Sequence, residues 1–236
     1  MQARKRILLK ITGEAFLSTQ NNALDPLVIN QVIGQIKQLE PEIHFGIVVG
    51  GGNFFRGNQH GKAMGISSSV GHQIGIIGTL MNGLIIKDLL EQQNIKASLL
   101  TAFTCPEIGA PISDQTIHNA LNRQDTIIFA GGTGNPFFST DTTAVLRGLQ
   151  MDAQEIWKAS HIDSVYTDDP KKNSNAKPLK DLTFKFALEN NLGIMDATAF
   201  ALAAQNKQTI RVFSLFEPNA LLNAAKNSHF GSLIHV

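Results

Sequence analysis

The strongest constraint in this chain is a pattern: strand-length apolar runs without polar alternation, each followed by a helix-length amphipathic segment. Ile47-Val48-Val49 and Ile127-Ile128-Phe129 offer water no polar face, so strands built on them must be covered on both sides. Alternation of such strands with helices predicts the α/β class, a parallel sheet between helical layers. Strands are predicted over 6–11, 43–49, 96–101, 126–130, 155–159, 209–215 and 232–236. Asp25 as N-cap and Pro26 at the first helical position open a helix that runs to 39. Further helices are predicted over 68–93, 113–123, 140–151, 183–190, 196–205 and 218–225. The polar, Lys/Asn/Pro-rich stretch 167–180 reads as a loop. It marks the division, near 160–180, between two lobes of a single domain spanning 1–236.

Charge and cysteine content narrow the function. Against 20 Lys+Arg stand 19 Asp+Glu, a formal net charge of +1, so no global field exists for gripping nucleic acid and any anion site must be local. The single cysteine, Cys105, excludes an intrachain disulfide and a cysteine-cluster metal site and suits a reducing cytoplasm. Arg4, Lys5 and Arg6 before Ile7-Leu8-Leu9 imitate the start of a secretory signal, but Lys10 and Glu14 interrupt the apolar run, and a cytoplasmic protein is expected. The apolar stretch 74–86 contains Asn82 and is shorter than the roughly 18 residues of a membrane span, so no membrane segment is expected.

Three turns at predicted strand ends are dense in glycine: Lys10-Ile11-Thr12-Gly13-Glu14, Gly50-Gly51-Gly52-Asn53 followed by Arg56 and Gly57, and Gly131-Gly132-Thr133-Gly134-Asn135-Pro136. Ligands of open α/β sheets gather at the carboxyl ends of strands, and glycines there let bare N–H groups approach phosphate oxygens. The turns predict a phosphate-rich ligand. Neither common nucleotide fingerprint fits: Gly57 to Ala63 (GNQHGKA) has the wrong glycine spacing and no hydroxyl residue after Lys62, and Gly132-Thr133-Gly134 lacks a third glycine, with Phe137 in its place.

Residues 5–15 (KRILLKITGEA), 48–57 (VVGGGNFFRG), 132–141 (GTGNPFFSTD), 165–170 (VYTDDP), 195–199 (MDATA) and 210–213 (IRVF) together resemble the bacterial uridylate kinases of the amino acid kinase superfamily. The match runs in order over the chain, and Asn135-Pro136-Phe137-Phe138 is its most specific block. The resemblance implies a three-layer α/β/α sandwich with a central, mainly parallel sheet, assembled as a homohexamer. It implies phosphoryl transfer from ATP to UMP with Mg²⁺, which arrives mostly with the nucleotide, and no protein metal ligand is named. Lys10 is then catalytic, with Asp141 and Asp196 as organisers that also read as helix-start carboxylates. ATP falls to Lys10, Ile11, Thr12, Gly13, Gly52, Arg56, Ser160, Tyr166 and Asp169, with Asp168 adjacent. UMP falls to Gly51, His72, Thr133, Gly134, Asn135, Pro136, Phe137, Phe138, Ser139 and Thr140. His72 stands where the family carries an aspartate, His161 where it carries a lysine, and Ser164 where it carries a glycine. The alternatives are a weakened or non-catalytic nucleotide sensor on the same fold and a superfamily kinase acting on a carboxylate or carbamate.

Overall fold

Along the strand Lys5–Ile11 (β1), Ile7, Leu9 and Ile11 face one side of the sheet while Leu8 faces the other, and by the same alternation Lys10 shares the Leu8 side. A computed structural model describes residues 4–18, 22–56, 61–170 and 172–236. After β1 come a short 3₁₀ turn (Gly13–Phe16), α1 (Pro26–Leu39), β2 (Ile43–Val49), α2 (Lys62–Met64), α3 (Ser68–Gln92), β3 (Ala97–Thr101), β4 (Ala110–Pro111) and α4 (Asp114–Asn122). The chain continues through β5 (Thr126–Ala130), α5 (Thr140–Gln150), β6 (Glu155–Ser160), β7 (Val165–Tyr166), β8 (Pro178–Leu179) and β9 (Asp181–Thr183). It ends with α6 (Phe184–Glu189), α7 (Ala197–Gln205), β10 (Thr209–Ser214), α8 (Ala220–Lys226) and β11 (Ser232–His235).

Nine strands form one continuous sheet in the order β4-β3-β5-β2-β1-β6-β10-β11-β9. Every pairing is parallel except β10 with β11. Two apolar layers cover it, as the unalternating strands require. Ile7, Leu9, Phe45, Ile47 and Trp157 meet α1, α3 and α8 on one face; Leu8, Val48, Ile127, Ile156 and Val212 meet α4, α5, α6 and α7 on the other. Helix starts follow the expected chemistry, as at α1, where the Asp25 carboxylate accepts from the N–H groups of Leu27 (2.9 Å) and Val28 (3.4 Å).

The structure departs from the sequence expectations in its shortest elements and in one apolar run. The stretch 167–180 is not all loop: its last residues form β8, which pairs antiparallel with β7 through Val165↔Leu179 and Tyr166↔Pro178. The short strands β4, β7 and β9 were also absent from the expectations, because two or three residues carry no readable periodicity. The helix expected over 68–93 forms as α3, but its 25 residues are, by length and composition, apolar enough to cross a membrane, which the expectation drawn from 74–86 alone did not foresee. In the fold, its Leu80, Ile86 and Leu90 pack into the core under the sheet.

Candidate functional site

Parallel register builds the centre of the site. Lys10 of β1 lies beside Lys158 of β6, and both side chains leave the sheet on the face that α5 covers. Between them sits Asp141, in the first turn of α5. The Lys10 ammonium is 2.9 Å from one carboxylate oxygen and the Lys158 ammonium 2.7 Å from the other. Lys158 also donates to the carbonyl of Ile194 at 2.6 Å. All three side chains are largely buried, so solvent and salt screen them little. Burial alone would raise the Asp141 carboxyl, but the Lys10 and Lys158 charges outweigh it and hold the group below the usual carboxylate range. Burial lowers the Lys158 ammonium from its usual value, against the attraction of Asp141. The arrangement is two cations sharing one anion.

The glycine turns crowd against this cluster. A Cβ on Gly13 would come within 2.4 Å of the Gly50 carbonyl oxygen, and one on Gly50 within 3.1 Å of the Thr140 hydroxyl. The loop from Gly131 takes left-handed backbone at Gly131, Gly132 and Gly134, and also at Phe137 (φ 70°), where a side chain makes that conformation costly. Arg147 steadies the loop by donating to the Gly132 carbonyl at 2.8 Å; burial brings its pKa down to about 10, and it remains a cation at neutral pH. These segments and α3 enclose a cleft of about 510 Å³. Gly51, Gly52, His72, Asn135, Phe137, Phe138, Ser139 and Thr140 line it, whereas Thr133, Gly134 and Pro136 of the same loop do not. The His72 ring rests on that of Phe137, centroids 4.8 Å apart. Glu14, Gly75, Thr79 and Thr143 also line the cleft.

A second cavity has a volume of about 340 Å³. It is lined by Tyr166, Asp168, Asp169, Asn190, Gly193 and Ile194, the last of which accepts from Lys158. Asp168 accepts from the Asp169 N–H (2.7 Å) and from Asn173 (2.8 Å), which hold its carboxyl below the usual range. Asp169 makes an ion pair with Lys172 at 3.7 Å, and the Tyr166 hydroxyl donates to Asp163 at 3.1 Å.

Other expected site residues are placed differently. Ile11 gives its side chain to the core and its carbonyl to the Gly50 N–H. The Thr12 carbonyl accepts from Ala15. Ser160 is buried at the end of β6, outside the lining of either cavity, with its hydroxyl 3.5 Å from the Ile162 N–H. Arg56 pairs with Glu14 at 3.2 Å, and Gly57 lies outside the described residues. Asp196 caps α7 through the N–H groups of Thr198 and Ala199 and accepts from the hydroxyls of Ser139 and Thr142, so it ties the starts of α7 and α5 together, and its charge favours the protonated form of Lys158. His161 stacks on Phe216, centroids 4.8 Å apart, and Ser164 is buried within 3.2 Å of the Lys180 ammonium. Among the described residues no group of three or more His, Cys, Asp and Glu is placed to hold a metal ion.

Lys158 is the central residue that sequence reasoning missed. Its signal was a lysine one or two residues before the end of a strand whose neighbouring positions are apolar, the position Lys10 holds in β1. Comparison with known proteins agrees with the geometry. A family model described as the amino acid kinase family matches residues 5–214. A uridylate kinase from Psychrobacter cryohalolentis is 40% identical over 231 residues, 98% of this chain and 96% of that protein. One from Mycoplasma genitalium is 41% identical over 223 residues, 94% of this chain and 91% of that protein. The crystal structure of UMP kinase from Ureaplasma parvum matches with a TM-score of 0.94 at 31% identity and covers 99% of each chain. The buried lysine pair, the glycine turns around it and these full-length likenesses make the chain a member of the amino acid kinase family, in its uridylate kinase branch.

Proposed function

We infer that the protein transfers the γ-phosphoryl group of ATP to UMP, giving ADP and UDP, a step of pyrimidine nucleotide biosynthesis. The observation that carries this reading is the Lys10–Asp141–Lys158 cluster, which adjoins one cavity through Thr140, the neighbour of Asp141, and another through Ile194, whose carbonyl accepts from Lys158; the first is walled by glycine turns and hydroxyls, the second by Tyr166 and Asp169. In this reading UMP occupies the first, against Gly51, His72 and the 133–140 loop. ATP occupies the second, with its phosphates reaching Lys10, Gly13, Gly52 and Arg56. A UMP phosphate oxygen bonds to the γ-phosphorus while the bond from that phosphorus to the β,γ-bridging oxygen breaks, and the electron pair leaves with ADP. The attacking oxygen is already ionised at neutral pH, so no general base is needed and the work left is positioning and charge neutralisation. The two ammonium groups lie where negative charge moves.

Mg²⁺ favours phosphate oxygens with few carboxylates, which fits a site whose central carboxylate, Asp141, is already held by two lysines. Bound with ATP, it would neutralise charge on the β- and γ-phosphates. The assembly we propose is a homohexamer in the cytoplasm; Val70, Ile77, Met81 and Leu84 on the outer side of α3, 41–55% exposed, give a second copy an apolar surface to cover.

A coupled assay with ATP, Mg²⁺ and a panel of acceptors tests the assignment. UDP should form from UMP, and CMP should be a poor acceptor because its ring presents the opposite hydrogen-bonding pattern at positions 3 and 4. Equal turnover of CMP, or preference for a carboxylate acceptor, would overturn it.

A further inference from the structure

Two buried amides lie behind the glycine turn of β2. Asn82, on α3, is 1% exposed, and Asn53, just after the turn, is 7% exposed. Each donates to the other's side-chain oxygen, at 2.8 and 3.0 Å, so the pair forms a closed amide ring. Each also anchors backbone: Asn82 donates to the Gly50 carbonyl at 2.8 Å, and Asn53 to the Ala23 carbonyl at 3.0 Å. The pair is fully used and faces no solvent, which is a costly way merely to fill space, since a leucine would do that without any polar group to satisfy.

What the pair holds is informative. In a planar trans peptide the carbonyl and the next N–H point in opposite directions, so fixing the Gly50 oxygen also fixes the Gly51 N–H. Gly51 and Gly52 line the first cleft, and no described residue accepts from either N–H. The same helix presses on the turn directly: a Cβ on Gly51 would lie 2.2 Å from the Gly75 oxygen. One helical turn before Asn82, on the same face, Thr79 accepts from the Gly131 N–H at 2.8 Å and so grips the other glycine turn of the cleft.

We propose that the Asn53–Asn82 amide pair consists of positioning residues for phosphoryl transfer, which clamp the Gly50–Gly52 turn to α3 so that its N–H groups are preset for an anion. The proposal rests on the reading of the cleft as a nucleotide site and deepens it. Neither asparagine touches substrate; both act through the turn.

The test compares Asn82→Leu, which keeps volume and removes the hydrogen bonds, with Leu90→Ala, whose side chain is buried eight residues further along the same helix, about 12 Å along its axis. Two readouts are taken: kcat and KM for UDP formation, and, without substrate, backbone amide exchange at Gly50, whose N–H is bonded to the Ile11 carbonyl at 3.1 Å. In Asn82→Leu the Gly50 amide should exchange faster and kcat/KM should fall on the order of 100-fold, the loss expected when reacting groups are displaced by about 1 Å. Leu90→Ala should lose thermal stability yet keep its kcat/KM and the protection of the Gly50 amide. Asn53→Ala, which spares the bond to Gly50, should fold and show a smaller change in the same direction, and it decides the matter if Asn82→Leu does not fold. Wild-type exchange and turnover in the asparagine variants, or an equal activity loss in Leu90→Ala, would reduce the pair to ordinary packing. If the native protein makes no UDP, the functional reading fails on that assay alone, while the exchange arm still reports whether the pair clamps the turn.

Discussion

Lys10 and Lys158 divide a single carboxylate, and each alone leaves the other with a complete ion pair. Lys10→Ala or Lys158→Ala should therefore raise the barrier by about 3 kcal/mol, roughly 100-fold in kcat, while ATP affinity changes far less. Because the lysines act as a unit, the double variant should be little slower than either single one. Steady-state kinetics on variants with native circular dichroism checks both statements, and normal turnover in either single variant would remove that lysine from the chemistry. The two were unequally legible. Lys10 sits in a glycine-flanked motif, Lys-Ile-Thr-Gly, whereas Lys158 sits in Trp-Lys-Ala-Ser, where a strand lysine reads as a solvated side chain. Only the register of β1 with β6, which local sequence does not encode, makes them neighbours. Asp196 shows the converse: its residue type predicted both a cap and an organiser, and the hydroxyls that occupy it come from a segment 54 to 57 positions away.

Helices and strands with strong signatures appear where the sequence puts them, within a residue or two at each end, because caps and periodicity are local. Glycines separate by environment rather than by sequence. On α1, a Cβ at Gly34 would meet nothing within 4 Å, so Gly34→Ala should stabilise the protein by about 0.5–1 kcal/mol through helix propensity. At Gly51 the added carbon would meet the Gly75 oxygen at 2.2 Å and the Thr79 nitrogen at 3.0 Å, both backbone atoms of α3 that cannot swing aside. Gly51→Ala should therefore cost about 1–3 kcal/mol. Denaturant titration of the two variants reads the opposite signs; a neutral Gly51→Ala would mean that α3 shifts outward at little cost. From the sequence both positions are simply glycine, one within a helix and one in a glycine run, and the run was read as a phosphate contact. The structure adds that Gly51 is also where the turn and the helix meet backbone to backbone.

One sheet carries both ends of the chain, and two histidines on it report opposite electrostatics. His44, on β2, is buried and within hydrogen-bond distance of the Asp125 carbonyl (2.7 Å); burial lowers its pKa from 6.5. His235, on β11, bonds to Asp181 of the neighbouring β9 at 2.7 Å, which raises its pKa. The stability due to a neutral His44 is full above 6.5 and is lost as pH falls towards its depressed folded value. The contribution of charged His235 is full below 6.5 and is lost as pH rises through its elevated folded value, and it is small because the pair is exposed. Ring-proton NMR titration should place the two on opposite sides of 6.5; titration of both on one side would contradict either the burial of His44 or the bond of His235 to Asp181. Neither partner is near its histidine in sequence, so neither shift was legible before the sheet order was known. The ion cluster has a further consequence. With Asp141 between them, the lysines already face an oxyanion before any nucleotide arrives, so the carboxylate serves as a resident counter-ion. An arriving phosphoryl oxygen exchanges one negative partner for another, with ammonium groups already aimed and dehydrated, and the electrostatic reorganisation that water would demand has been completed during folding.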